Sequence, residues 1–212
     1  MNQDLFDDPA HWEIAPGVTL LRGFALASEP ALLDAVAAVT ATAPLRHMFT
    51  PGGLKMAVAL TNCGPLGWVS DSAGYRYQAS DPVCGQRWPA LPAAFAQLAA
   101  QAAAAAGFGN FTPDACLVNR YQAGTRLSLH QDRNERDFSQ PIVSVSLGLP
   151  AVFLLGGLQR SDKTARLPLS HGDVLVWGGP SRLRFHGVLP LAAGTHPLLG
   201  EQRINLTLRR AG

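Results

Sequence analysis

Apolar and polar positions alternate in two rhythms along this chain, and the rhythm changes near residue 110. In "SEPALLDAVAAVTATAP" the apolar positions Leu32, Leu33, Val36 and Val39 recur every three or four residues, the spacing of one helical face. Ser28 stands where a cap belongs, a proline falls in the first turn and Pro44 closes the stretch, so a helix is predicted. "LPAAFAQLAAQAAAAAG" predicts a second helix, nearly free of charge and ending at Gly107, that should lie against the core. Between them, from Met48 to Pro89, Gly and Pro interrupt short β-prone pieces every few residues, which predicts hairpins and loops. From Phe111 onward the pieces "ACLVNRYQAGTRLSLHQD", "IVSVSLGLPAVFLLGG", "ARLPLSHGDVLVWGGP", "RFHGVLP" and "RINLTLRR" read as short strands separated by turns. Strands at this spacing with no helices between them predict a sandwich, barrel or jelly roll. The chain thus divides into a helix- and loop-bearing part, 1–110, and a β core, 111–212.

Composition sets outer limits. A chain of 212 residues with 47% hydrophobic content buries a core as one domain, or one domain plus an extension. No apolar run approaches the roughly 20 residues of a membrane helix, and the start, "MNQDLFDDPAHW", lacks a basic-then-apolar leader. No membrane association and a cytoplasmic location are therefore expected. Cys63, Cys84 and Cys116 share no C-x-x-C spacing and are expected to be reduced thiols. Charge is uneven: residues 1–110 carry five basic and eight acidic side chains, residues 111–212 twelve and seven. All twelve basic residues except Lys163 are arginine, whose planar fork suits carboxylates and phosphates.

Candidate chemistry begins at "LSLHQD". Residues two apart on a strand share a face, so His130 and Asp132 can aim at one point, and His186 in "RFHGV" could close a set of two imidazoles and a carboxylate. Such a set leaves metal positions open and suits non-haem Fe(II) oxygenases. A pair as short as H-x-D also arises by chance, and needs a co-substrate site beside it. In "RINLTLR", Arg203, Asn205, Thr207 and Arg209 share one face and Ile204, Leu206 and Leu208 the other. Two forks on one face suit a dicarboxylate, although an edge strand with its arginines in solvent has the same pattern. In "LVNRYQ", Asn119 and Tyr121 share a face and could hydrogen-bond a carboxylate or keto oxygen.

Together, H-x-D, the distant histidine and R-x-N-x-x-x-R resemble the AlkB family of Fe(II)- and 2-oxoglutarate-dependent nucleic-acid dealkylases, close to its bacterial prototype. The resemblance runs through "TPGGLKMAVALTNCGPLGW", "PDACLVNRYQAGTRLSLHQD", "PIVSVSLGLPAVFLLGGLQR", "HGDVLVWGGPSRLRFHG" and "RINLTLR", from about Thr50 to the end. It implies an α+β, mainly β fold: a double-stranded β-helix (jelly-roll) core, N-terminal helices and a β-hairpin nucleotide-recognition lid over about 45–90. It implies that His130, Asp132 and His186 hold Fe(II), and that Asn119, Tyr121, Arg203, Asn205 and Arg209 hold 2-oxoglutarate, with O₂ as co-substrate. In that assignment Arg203 serves the keto-acid end near the metal and Arg209 the distal carboxylate. Trp68 and Tyr75 would clamp the damaged nucleotide, the base lying between Trp68 and His130.

The implied reaction is oxidative demethylation of bases such as 1-methyladenine and 3-methylcytosine, in single- or double-stranded DNA with RNA left open, by a monomer. Arg126, Arg133, Arg136, Arg160, Lys163 and Arg166 are candidate phosphate contacts, which would make binding salt-dependent. The family's acidic residue two after the metal-binding Asp is replaced by Asn134, with Glu135 next, which bears on base preference. Both histidines must be neutral to ligate, so iron affinity is expected to fall below about pH 6. Two rivals fit parts of the pattern: a zinc hydrolase on the same three ligands, and a non-catalytic nucleic-acid-binding barrel that uses only the arginines and Trp68.

Overall fold

The computed structural model describes residues 11–212. The first ten residues, on which the reading of the chain's start largely rests, lie outside the described residues. In chain order the elements are β1 (His11–Ala15), β2 (Val18–Leu21), α1 (Glu29–Thr42), β3 (Ala59–Cys63), β4 (Gly67–Asp71), β5 (Gly74–Gln78) and α2 (Ala93–Ala105). They continue with β6 (Ala115–Gln122), β7 (Leu127–His130), β8 (Ile142–Gly148), β9 (Ala151–Leu155), β10 (Ala165–Leu169), β11 (Val174–Trp177), β12 (His186–Val188) and β13 (Gln202–Arg209).

Seven strands form one antiparallel sheet in the order β1-β2-β11-β8-β13-β6-β3, and four form a second, β10-β9-β12-β7. This is a mainly β, jelly-roll architecture, one of the three that the strand spacing allows and the one that the resemblance implies. Period-two alternation gives the larger sheet two apolar faces. One, carrying Val143, Val145, Val174, Val176, Leu206 and Leu208, packs under α1 and α2 through Leu32, Val36, Phe95 and Leu98. The other, carrying Ile142, Leu175 and Trp177, meets Phe153, Leu155 and Val188 of the smaller sheet. β13 lies between β8 and β6, with the positions from Arg203 to Arg209 all buried, so the edge-strand alternative does not apply.

The division at residue 110 falls between α2 and β6, yet β1, β2 and β3 from the first part complete the larger sheet. The N-terminal part is therefore built into the core by strand pairing as well as by its helices. Ser28 takes the N-cap position of α1 but makes no capping hydrogen bond with its side chain. Gly107 follows α2 with φ +82°, the left-handed conformation that ends a helix at little cost for glycine.

Strands β4 and β5 form a separate hairpin, joined to the core by specific contacts. The Asn62 side chain accepts a hydrogen bond from the Trp68 amide and donates to the Trp68 carbonyl, both at 2.9 Å. Val69 packs with Met48, Leu60 and Trp88. Gly67 is required by this closeness, because a Cβ there would overlap the Trp88 indole and the Asn62 side chain.

Candidate active site

His130, the last residue of β7, and His186, the first of β12, are directly paired across the smaller sheet. Strand register thus brings together residues 56 apart in sequence, with ring centroids 4.4 Å apart. Each Nδ1 lies against the carbonyl two residues earlier, His130 on Ser128 at 2.9 Å and His186 on Arg184 at 3.0 Å. Donation through Nδ1 leaves the lone pair on each Nε2, the arrangement metal-ligating histidines use. Asp132 lies just beyond the end of β7, so strand alternation alone does not aim it. Its carboxylate still reaches the two rings, at 3.7 Å from His130 Nε2 and 3.8 Å from His186 Nε2. The three donor atoms lie within 4.8 Å of one another, which fits a shared metal ion.

Arg209 aims that carboxylate, donating from Nε at 2.9 Å and from Nη2 at 2.6 Å to one Asp132 oxygen. Burial works against charge on Asp132, but Arg209 first and the histidines after it hold the carboxyl below its ordinary range. Burial likewise opposes charge on Arg209, and Asp132, Tyr77 and Glu135 more than offset it, holding Arg209 above its ordinary range. For His186, burial is the largest influence and His130 the next, and together they hold it down to about 4.

Beside this triad lies a second built site. In the β13–β6 register Arg203 faces Tyr121 and Asn205 faces Asn119, so the two strands present four polar side chains to the same interior. Arg203 is 1% exposed, its guanidinium lying 5.1 Å over the Tyr121 ring and donating to Ser146 at 3.0 Å. Its Nε and Nη1 have no hydrogen-bond partner among the described residues. Buried polar groups are rarely left so, and an orphaned guanidinium in a cavity wall fits an anionic ligand. Asn205 is fixed by Ser144, Val145 and Thr207. Of the two arginines expected to serve the co-substrate, Arg209 and not Arg203 touches the Asp132 carboxylate.

All twelve site residues read from the sequence line one cavity of about 1000 Å³. Trp68 and Tyr75 stack at its mouth, centroids 5.6 Å apart and 14° from parallel, and Trp68 Nε1 donates to Asn134 Oδ1 at 3.1 Å. Arg160 lies at the rim, its Nη1 bonded to the Leu129 carbonyl at 2.6 Å and its guanidinium 5.0 Å over Phe185. Among the candidate phosphate contacts, Arg126, Arg133 and Arg160 line the cavity and are exposed, whereas Lys163 and Arg166 are exposed away from it. Arg136 lines a smaller neighbouring pocket beside Tyr75. Three participants escape sequence reading: Tyr77, Glu135 and Arg182. Their contacts join distant segments, and no local pattern marks them.

A family model described as the 2OG-Fe(II) oxygenase superfamily matches residues 17–209. The chain is 56% identical over 210 residues, 98% of its length and 97% of the relative's, to the alpha-ketoglutarate-dependent dioxygenase AlkB of Salmonella typhimurium. The chain belongs to the AlkB family of 2OG-Fe(II) oxygenases. A more distant relative is the nucleic acid dioxygenase ALKBH1 of Homo sapiens, 38% identical over 124 residues, 58% of this chain and 31% of that protein. Among solved structures, that of OsALKBH1 superimposes with a TM-score of 0.83 at 29% identity, covering 94% of this chain and 99% of the other. AlkB membership accounts for both a His130–Asp132–His186 group that could hold a metal and the Arg203 guanidinium with two unpaired nitrogens among the described residues, and neither the zinc hydrolase nor the non-catalytic barrel accounts for both. Those two readings gain no support. This AlkB-family chain is an Fe(II)- and 2-oxoglutarate-dependent dioxygenase.

Proposed function

We propose that this protein removes N-linked methyl groups from nucleic-acid bases by oxidation, acting on 1-methyladenine and 3-methylcytosine and so reversing alkylation damage directly. The observation that carries this reading is the convergence of three donor atoms that could hold a metal and a buried Arg203 guanidinium, two of whose nitrogens have no partner among the described residues, on the walls of one cavity. His130 Nε2, His186 Nε2 and the Asp132 carboxylate would hold Fe(II). The chemistry that Fe(II), 2-oxoglutarate and O₂ supply together when bound is oxidation of an N-methyl C–H bond, with succinate and CO₂ as co-products. A hydroxylated N-methyl group then breaks down to the free base and formaldehyde.

The chain's own residues do the rest. Arg203, with Tyr121, Asn119 and Asn205, grips the distal carboxylate of 2-oxoglutarate at the buried end of the site. Arg209 holds Asp132 in its ligating orientation and places positive charge near the keto-acid end. Trp68 and Tyr75 receive a base extruded from its stack on the His130 side of the cavity, and aromatic contact offsets about 1–3 kcal/mol of the lost stacking. Arg126, Arg133 and Arg160 ring the mouth and contact phosphates. The proposed substrate is alkylated DNA, single- or double-stranded, with methylated RNA as a second candidate, handled by a monomer in the cytoplasm. No described helix is long and apolar enough to cross a membrane.

Incubation with Fe(II), 2-oxoglutarate and a 3-methylcytosine oligonucleotide should release formaldehyde and succinate, and Asp132→Ala should abolish both. Succinate without formaldehyde from any methylated DNA or RNA would leave an oxygenase with a different substrate.

A further inference from the structure

We infer that Glu135 is a positioning residue that ties the nucleotide lid to the loop carrying the metal ligand Asp132; the inference rests on the function proposed above. Glu135 is 6% exposed and is not among the residues that line the cavity. Its oxygens are instead divided among three distant segments. Oε1 accepts a hydrogen bond from the Tyr77 hydroxyl of β5 at 2.7 Å, and Arg209 Nε of β13 lies 3.5 Å away. Oε2 accepts from Arg182 Nη2 at 3.1 Å. Arg182, itself 2% exposed, also donates to the Asp132 carbonyl at 2.8 Å and to the Gln140 carbonyl at 3.0 Å, pinning both ends of the loop from 132 to 140.

The hairpin side of this link is specific. Trp68 and Tyr77 are directly opposite each other in the β4–β5 register. Trp68 donates to Asn134 and Tyr77 to Glu135, so two facing side chains of the lid hold two consecutive residues of the ligand loop. Burial, joined by the neighbouring carboxylates, keeps the Tyr77 hydroxyl protonated and therefore a donor. A buried Glu–Arg pair is weak evidence for stability by itself, since its desolvation can equal its attraction. Charge balance against Arg182 and Arg209 needs no tyrosine hydroxyl. The Tyr77 bond is what makes the cluster a connection between lid and metal site, so that displacing the hairpin disturbs Asp132 through one shared carboxylate.

Two readouts on Tyr77→Phe and Glu135→Gln test this. In metal-free protein, amide hydrogen exchange should rise in both variants not only in the hairpin, 67–78, but also in 127–135. With Fe(II) and 2-oxoglutarate, both variants should raise KM for a 3-methylcytosine oligonucleotide by about three- to tenfold, the worth of one hydrogen bond. Formaldehyde released per succinate should fall while KM for 2-oxoglutarate stays unchanged. The double variant should lose no more formaldehyde per succinate than Glu135→Gln alone. Exchange confined to the hairpin, or an unchanged formaldehyde-to-succinate ratio in Tyr77→Phe, overturns the link. Absence of turnover in the unaltered protein would instead overturn the proposed function, and the exchange measurement would still decide the link.

Discussion

Arg209 donates two hydrogen bonds to a single oxygen of Asp132, leaving the other oxygen 3.7 Å from His130 Nε2. A carboxylate held this way has one oxygen committed to the protein and its charge offset before any metal arrives. Lysine cannot make the same two-pronged contact, so Arg209→Lys and Arg209→Met are both expected to weaken Fe(II) binding by about ten- to a hundredfold, the usual cost of losing a ligand's supporting partner. Titration with Fe(II) under anaerobic conditions measures this. Unchanged affinity in Arg209→Met would mean that Asp132 is oriented by the loop backbone alone.

His186 gives the metal-free protein a defined pH response. Its ordinary value is 6.5 and burial holds it down to about 4, so between these pH values the unfolded chain binds a proton that the folded chain refuses. Stability is therefore expected to fall as pH drops from 6.5 to 4, by up to ~3 kcal/mol, with no further loss from this group below 4. Asp132 acts in another window: its carboxyl is held below the ordinary 3.8, so its contribution is present above that value and lost as pH falls beneath it. Denaturant unfolding of the metal-free protein across this range should show the first loss, and His186→Asn should remove it. His186 therefore stays ready to ligate well below pH 6, and the loss of iron affinity expected there is not set by this ring.

Arg203 should separate ligand binding from folding. Two of its guanidinium nitrogens are buried without partners among the described residues, a desolvation cost that an anion would relieve. Arg203→Met is expected to raise KM for 2-oxoglutarate by about a hundredfold, the worth of one or two charge-assisted hydrogen bonds. The same variant should melt at or above the temperature of the unaltered protein, because an uncompensated buried charge has been replaced by an apolar side chain. A variant that melts lower yet keeps its KM would show that Arg203 holds the fold and not the co-substrate.

What could be read from the sequence, and what could not, follows the range of the interactions. The alternation of Arg203, Asn205, Thr207 and Arg209 is local, and the structure puts all four on one interior face. Which arginine stands at Asp132 is not local, since it depends on where the smaller sheet brings that carboxylate. Alternation predicts that Asp132 follows His130 along a strand, but β7 ends at His130 and the carboxylate is aimed by a side chain 77 residues away. Glu135 sits beside Asn134 in plain view, yet its partners Tyr77 and Arg182 lie 58 and 47 residues off on segments with no shared periodicity. Within the candidate phosphate contacts, closeness in sequence does not decide which side chains reach the cavity: Arg126, Arg133 and Arg160 line it, and Lys163 and Arg166 do not.

Asn134 offers a test of base preference. It lines the cavity beside the metal triad, and its side-chain oxygen accepts the Trp68 indole hydrogen bond. Aspartate keeps that acceptor and adds a negative charge facing the base, with little change in volume. 3-Methylcytosine is cationic when protonated, whereas 3-methylthymine is neutral, so only the first gains from the added charge. A unit-charge attraction near the surface of a site, about 1–4 kcal/mol at 4 Å and reduced by solvent at this open mouth, corresponds to roughly tenfold here. Asn134→Asp is therefore expected to raise the ratio of kcat/KM for 3-methylcytosine over 3-methylthymine by about tenfold at low salt, with the gain shrinking as salt is added. An unchanged ratio would place Asn134 as a support for Trp68 only, and move the choice among bases to the aromatic walls of the cavity.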